Sequence, residues 1–326
     1  MTRFSVVVAT RNRPNTFGRA LRSIVEQSCD DIELVIVDDG SDQQHLAAYR
    51  SAIAACPRQS LLHSLPRYAK GHGPAFARNV GAMAATGDYI CFLDDDDSWT
   101  DPTYLARIER VVTAAEIPPD LIFSGQSAFY GDAPWPHQLW LQPLADSLQS
   151  AHGREIEFYS VSIEDLVQAG SFCHMNTMVV RRALYSEIGG MDETIRWEED
   201  HDLFLRLIDA AKTMLLSPAV VARHNIPDSA SEESATTQLA EIERRMIQLR
   251  VFDKAILFAA NPAIRAYAKL HKGYTLKRIV RELAARGEDQ KAALYAREAL
   301  AVGPTVGWAA YTMYAIVRAN LARYRL

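Results

Sequence analysis

Tyr89-Ile90-Cys91-Phe92-Leu93-Asp94-Asp95-Asp96-Asp97 is the stretch on which the fold turns. Five mostly apolar residues read as a buried strand, and four consecutive carboxylates follow without a break. An acidic run is most often a solvated turn, but this one sits at the carboxyl end of an apolar strand, where open α/β sheets bind their ligands. Clustered carboxylates repel one another and rise in pKa unless a cation or strong donors neutralise them. Hard oxygen ligands suit Mg²⁺ or Mn²⁺, which in turn hold phosphate oxygens. Asp94 and Asp96, two apart on an extended chain, point the same way.

The same strand-then-polar pattern occurs twice upstream. Phe4–Ala9 is apolar and β-branched, as a strand buried on both faces should be, and ends in Thr10-Arg11-Asn12-Arg13-Pro14. Glu33–Val37 ends in Asp38-Asp39-Gly40-Ser41-Asp42. Between them Phe17, Ala20, Leu21, Ile24 and Val25 recur at helical spacing, and Ala75–Ala85 reads as a helix ahead of the acidic strand. This alternation predicts right-handed βαβ crossovers, with three strands delivering polar residues to one edge of a mostly parallel sheet. No glycine-rich phosphate loop follows the first strand, which argues against dinucleotide-binding and P-loop folds.

Composition narrows the class further. The chain has 326 residues, 48% of them hydrophobic, and a net charge of −5, which fits a large buried core and gives no support for nucleic-acid binding. Four scattered cysteines contain no C-x-x-C pair, as expected of a reduced compartment and against a thiolate zinc site. A strand starting at Phe4 leaves no room for a signal peptide, and no apolar run is long enough to span a bilayer, so a cytoplasmic location is expected.

Further along, a strand is predicted at Leu121–Ser124, after which regularity weakens. Residues 125–160, with Trp135, Trp140 and three nearby prolines, read as a poor core and a binding loop or cover whose ligand the sequence does not name. Another strand is expected at Thr177–Val180. Trp197-Glu198-Glu199-Asp200-His201-Asp202 then opens a helix. Carboxylates favour helix N-termini through the dipole; the functional alternative is that one of them is held inward as a general base. Paired short strands around Pro218 are expected to end at Arg223-His224-Asn225. From Thr237 the pattern is helical throughout, and residues 262–326 carry twelve Lys or Arg against four Asp or Glu. Those basic helices suit either docking on an anionic membrane surface, using Tyr311, Tyr314, Arg318, Arg323 and Arg325, or packing against the catalytic domain or a second subunit.

Taken together, these segments resemble family 2 of the inverting glycosyltransferases, with their GT-A fold. The resemblance runs over roughly residues 3–225. It is carried in order by Ser5–Pro14, by Glu33–Ser41, by Ala77-Arg78-Asn79-Val80-Gly81 with Gly87–Asp97, and by Ile188–Glu193 with Glu199–Arg206. Met191 stands where phenylalanine is commoner. The resemblance implies an α/β GT-A domain over 1–230, with 1–124 the nucleotide-sugar half and 125–230 the acceptor half, and a helical extension over 231–326.

By position, the resemblance places Thr10 and Asn12 along the nucleoside and Asp39 on the imide N–H of the base, which favours uridine or thymidine. Arg78 would lie near the diphosphate or donor sugar, Asp94 and Asp95 on the nucleotide side, and Asp96 on Mn²⁺ or Mg²⁺ with His224 as an additional ligand. Asp200 would be the base, with Glu199 its rival. The implied reaction moves a sugar from a nucleoside diphosphate, UDP foremost, to a hydroxyl of a glycan or lipid-linked acceptor with inversion; a place at the inner face of the cell membrane is expected only if the basic helices dock there. Two other readings stay open: an inactive nucleotide-sugar-binding scaffold, and a sugar nucleotidyltransferase, against which the glycine-free first loop speaks.

Overall fold

A computed structural model describes residues 3–226 and 239–323. The chain divides into two compact units, Met1–Asp228 and Ser229–Leu326. The expected boundary after residue 230 falls outside the described residues, as does Arg325.

In the first unit the elements follow as β1 (Phe4–Thr10), α1 (Pro14–Val25), β2 (Ile32–Asp38), α2 (Gln43–Ala54), β3 (Ser60–Ser64), α3 (Pro74–Ala84), β4 (Tyr89–Phe92), β5 (Ser98–Trp99) and α4 (Tyr104–Ala114). Then come β6 (Leu121–Tyr130), β7 (Ala133–Pro134), α5 (Gln142–His152), β8 (Tyr159–Ser160), α6 (Ile163–Gln168), β9 (Met178–Arg181), α7 (Arg182–Glu187), α8 (Glu199–Ala210) and β10 (Met214–Asn225). They build one sheet in the order β3-β2-β1-β4-β9-β6-β10-β5, with β7 and β8 beside β6 and β10.

Helices cover both faces because successive residues of a strand point opposite ways. Phe4, Val6 and Val8 of β1 share a buried cluster with Phe17, Ala20, Leu21 and Ile24 of α1. Val7, on the other face, meets α3 at Gly81, where an added Cβ would lie 2.4 Å from Val7 Cγ1. No side chain fits there, so the glycine sets how closely α3 sits on the sheet.

Strand direction decides what reaches the functional edge. β1 pairs in parallel with β2 and β4, and β6 with β10, while β9 runs antiparallel between β4 and β6. The carboxyl ends of β1, β2, β4 and β10 therefore share one edge. Because β9 is reversed, its entry segment, a 3₁₀ turn at Met175–Thr177, reaches that edge as well.

Two expectations are corrected here. The paired short strands around Pro218 are one twelve-residue strand, β10, whose register with β6 slips between Leu216 and Val220. Proline lacks the N–H a ladder needs, so it sits in the irregularity instead of ending the strand. Residues 125–160 are also more regular than expected. β6 runs on to Tyr130, across the division drawn at 124, and α5 occupies Gln142–His152. Only Ala145 of α5 is buried, so the helix leaves no apolar period in the sequence.

The second unit consists, among its described residues, of α9 (Glu241–Phe258), α10 (Pro262–Ala285), α11 (Asp289–Val302) and α12 (Val306–Arg323). Its core joins Leu276, Ile279 and Leu283 of α10 to Ala292, Ala296 and Ala299 of α11 and to Trp308 of α12. Asn261 caps α10 by accepting the Ala263 N–H at 2.7 Å, with Pro262 beginning the helix. α12 also leaves Val306, Met313, Tyr314, Val317 and Leu321 exposed along one stripe.

Candidate active site

The loops after β1, β2 and β4 are stitched together at the edge. The Thr10 hydroxyl donates to Asp95 at 2.7 Å and lies 3.0 Å from the Tyr49 hydroxyl, which accepts the Arg13 N–H. Asn12, with φ of 56°, accepts the Asp42 N–H at 2.7 Å and donates its own N–H to Ser41. Asp39 accepts the N–H groups of His72 and Gly73, and His72 Nδ1 lies 2.7 Å from the same carboxylate. Thr10, Asn12 and Asp39 thus spend their polar atoms on one another's loops.

The four aspartates have four environments. Asp94 faces Arg78 at 2.5 Å; burial pushes its pKa up, but the Arg78 and His174 charges prevail and hold it near 2. Burial raises Asp95 despite Arg13 at 3.1 Å. Asp96 is pushed up to about 7 by burial and by the charges of Asp97, Asp95 and Asp94, which Arg13 at 2.9 Å offsets only in part. Asp97 is fully enclosed: it accepts from the Asn176 amide and from the Asn225 N–H at 2.7 Å, and His224 Nδ1 lies 2.7 Å away.

Oxygens of Asp94, Asp96 and Asp97 lie within 4.8 Å of one another, and so do ligand atoms of Asp97, His174 and His224. This donor set fits a hard divalent cation. A carboxylate already driven up by its neighbours gains from added positive charge. The Asp97–His224 pair also has the form of an orienting carboxylate that turns the other ring nitrogen outward. Burial works against charge on His224, but Asp97 outweighs it and raises the pKa to about 9, whereas burial and the His224 charge lower His174 to about 4.

Across the edge, α8 presents its acidic first turn. Glu198 pairs with His201 at 2.7 Å, Glu199 with Arg78 at 2.9 Å and Asp202 with Arg206 at 2.8 Å. Asp200 accepts the His201 backbone N–H at 2.8 Å, and its nearest imidazole nitrogen, His174 Nε2, is 3.9 Å away. Burial first, then the charges of Glu199 and Glu198, push Asp200 up to about 7. Arg78, buried between Asp94 and Glu199, ties the two acidic groups together.

The sequence reading missed three residues that the structure brings in. Arg13 spans Asp95 and Asp96, Asp97 anchors β10, and His174 lies between Asp94 and Asp200. Arg13 and Asp97 were inside recognised segments, so their charge was the available signal. His174 is a lone histidine with none.

A mixed sheet covered on both faces, with a carboxylate cluster where its strand ends meet, defines an α/β protein whose strand-end edge is the place such sheets bind ligands. The model of glycosyl transferase family 2 matches residues 5–188, more than half of the chain, and the chain belongs to that family. An uncharacterised glycosyltransferase of Haemophilus influenzae is 26% identical over 204 residues, 63% of this chain and 61% of the relative. The putative colanic acid biosynthesis glycosyl transferase WcaA of Escherichia coli is 27% identical over 210 residues, 63% and 65% of the two chains. The match therefore spans less than two thirds of either relative's length.

Among solved structures, S. aureus TarS 1-349 in complex with UDP-GlcNAc has a TM-score of 0.66 at 17% identity, covering 97% of this chain and 88% of that one. Mannosyltransferase PcManGT from Pyrobaculum calidifontis, in complex with GDP-Man and Mn²⁺, has a TM-score of 0.60 at 20% identity, covering 98% and 86%. The likeness to both is one of fold, the GT-A arrangement.

Proposed function

We propose that this chain is a metal-dependent inverting glycosyltransferase, moving a sugar from a nucleoside-diphosphate donor to a hydroxyl of a glycan or lipid-linked acceptor in surface-glycan synthesis. The observation that carries the reading is the approach of two separate acidic groups, Asp94 on the cation side and Asp200 on α8, to one imidazole at the same sheet edge. His174 Nε2 lies 3.8 Å from Asp94 and 3.9 Å from Asp200. Cation-side carboxylates and a separate base on opposite flanks of a sugar are what in-line displacement at the anomeric carbon needs.

Asp96, with Asp94 and Asp97, whose oxygens lie within 4.8 Å of one another, and with His224 beside Asp97, would hold Mn²⁺ or Mg²⁺. A cation bound there supplies charge stabilisation to the departing diphosphate. Arg13 leaves Asp96 and turns its guanidinium to the anionic donor. Arg78 keeps Asp94 ionised and holds Glu199 as a paired carboxylate, so Glu199 does not compete as base. Asp200, with its pKa near 7, takes the proton of the acceptor hydroxyl as that oxygen attacks. Asp39, with Thr10 and Asn12, lines the nucleoside, and His72 Nδ1 gives up its place on Asp39 to the imide N–H of a uracil.

The surface-glycan setting is supported by the E. coli relative, a putative colanic acid biosynthesis glycosyl transferase. No helix among the described residues is long and apolar enough to cross a membrane. The exposed apolar stripe of α12 and the excess of basic residues after 262 support peripheral docking at the cytoplasmic face of the membrane. The test is a panel of UDP-, dTDP- and GDP-sugars with Mn²⁺, reading melting shift and nucleotide release. Stabilisation by a nucleotide sugar, lost on chelation, is expected; no response to any member refutes the reading.

A further inference from the structure

Trp140 lies on the connection between β7 and α5, in the segment for which the sequence named no ligand. Its φ is 55°, a left-handed conformation that a residue with a side chain keeps only where its surroundings over-determine it. The half-buried indole is directed inward, its ring centre 5.6 Å from that of His174 and 5.4 Å from that of His224, nearly perpendicular to the latter.

His174 is itself oriented. Its Nδ1 accepts the Asn176 N–H at 3.5 Å, which favours the tautomer with the proton on Nε2. That N–H points into the space between Asp94 and Asp200 and is beyond hydrogen-bond reach of either, at 3.8 and 3.9 Å. An aromatic face, an unspent donor and flanking carboxylates make the chemistry that recognises a pyranose, whose C–H face is apolar and whose rim is hydroxyl.

We propose that Trp140 and His174 bind the transferred sugar of the donor. The indole lies against its C–H face, and His174 Nε2–H donates to one of its hydroxyl oxygens. The proposal rests on the donor reading given above and adds the residues that separate a nucleotide sugar from the bare nucleotide. The sugar belongs to the donor because His174 Nε2 lies within 4 Å of both Asp94, on the cation side, and Asp200, the candidate base, and so borders the space that the transferred sugar would fill.

The test is calorimetric titration of wild type, Trp140→Ala, Trp140→Phe and His174→Leu with UDP-GlcNAc, UDP-galactose and GDP-mannose, each against its own nucleoside diphosphate, in Mn²⁺. For a nucleotide sugar that wild type binds, Trp140→Ala and His174→Leu should lose tenfold or more in affinity. For Trp140→Ala the affinity for the matching nucleoside diphosphate should change less than twofold, and Trp140→Phe should stay within threefold of wild type. The unchanged diphosphate affinity also reports that Trp140→Ala folds. In that variant, equal losses for nucleotide sugar and diphosphate, or no loss for either, overturn the proposal. A rise in acceptor KM with donor affinity intact overturns it by giving the residues to the acceptor. Failure of wild type to bind any nucleotide or nucleotide sugar refutes the donor reading itself.

Discussion

Asp200→Asn replaces the candidate base by an isostere that cannot take a proton. Asp200 is set at about 7 by burial and by the neighbouring Glu199 and Glu198 charges. Only its ionised form can accept the acceptor's proton, so activity must rise with pH and level off above 7. At one unit below that pKa about a tenth of the sites are competent, and at one unit above about nine tenths. General-base catalysis is worth roughly 10²- to 10⁴-fold, and the variant should lose turnover by that factor. Asp200 makes no contact with Thr10, Asn12, Asp39 or Asp96, so donor binding should survive. The assay follows release of the nucleoside diphosphate at saturating donor and acceptor between pH 5.5 and 8.5, with calorimetric titration of the diphosphate and Mn²⁺ alongside. A wild-type profile flat across that range, or a variant keeping more than a tenth of the rate at pH 8, would falsify the assignment.

Asp96→Ala should lose Mn²⁺-dependent diphosphate binding where Asp200→Asn keeps it; equal affinity in wild type and Asp96→Ala, titrated with and without chelator, counts against the cation assignment. Arg78→Met removes a buried guanidinium and strands the half-buried carboxylates of Asp94 and Glu199, for which a cost of up to about 3–5 kcal/mol is expected, and urea unfolding at pH 7.5 without metal measures it. A loss below about 1 kcal/mol there means that the bridge contributes little, as an exposed pair would. Saturating Mn²⁺ should raise the melting temperature of wild type, by about 2.7 kcal/mol of added stability at one hundred times its Kd, and the rise should vanish in Asp96→Ala. Charge introduced on the exposed stripe of α12, as Met313→Glu with Val317→Asp, should sharply reduce co-sedimentation with anionic vesicles; unchanged sedimentation removes α12 as the contact.

Most strands and helices were legible because their signals are local. Phe4–Thr10 is apolar on both faces and becomes β1, and Phe17, Ala20, Leu21 and Ile24 recur at helical spacing and become the buried side of α1. The failures have the same origin. Helix α5 buries little, so it leaves no period, and β10 contains a proline that reads as a break while the strand accommodates it in a register slip. Within the site, the acidic run was evident, but its division of labour was not. Whether an aspartate is raised to about 7, like Asp96, or held near 2, like Asp94, depends on Arg78 sixteen positions away and on how deeply each is buried.

By itself the sequence determined where the apolar strands β1, β2 and β4 lie, that these three end in polar residues, and that carboxylates crowd the end of one. Only the tertiary structure decided that Glu199 is paired while Asp200 is left to titrate, and that His174 stands between Asp94 and Asp200. The reason is one of direction and distance. β9 runs against its neighbours, so residues preceding it arrive at the edge where the others end, and no local pattern in a chain records the sense in which a distant strand will pair.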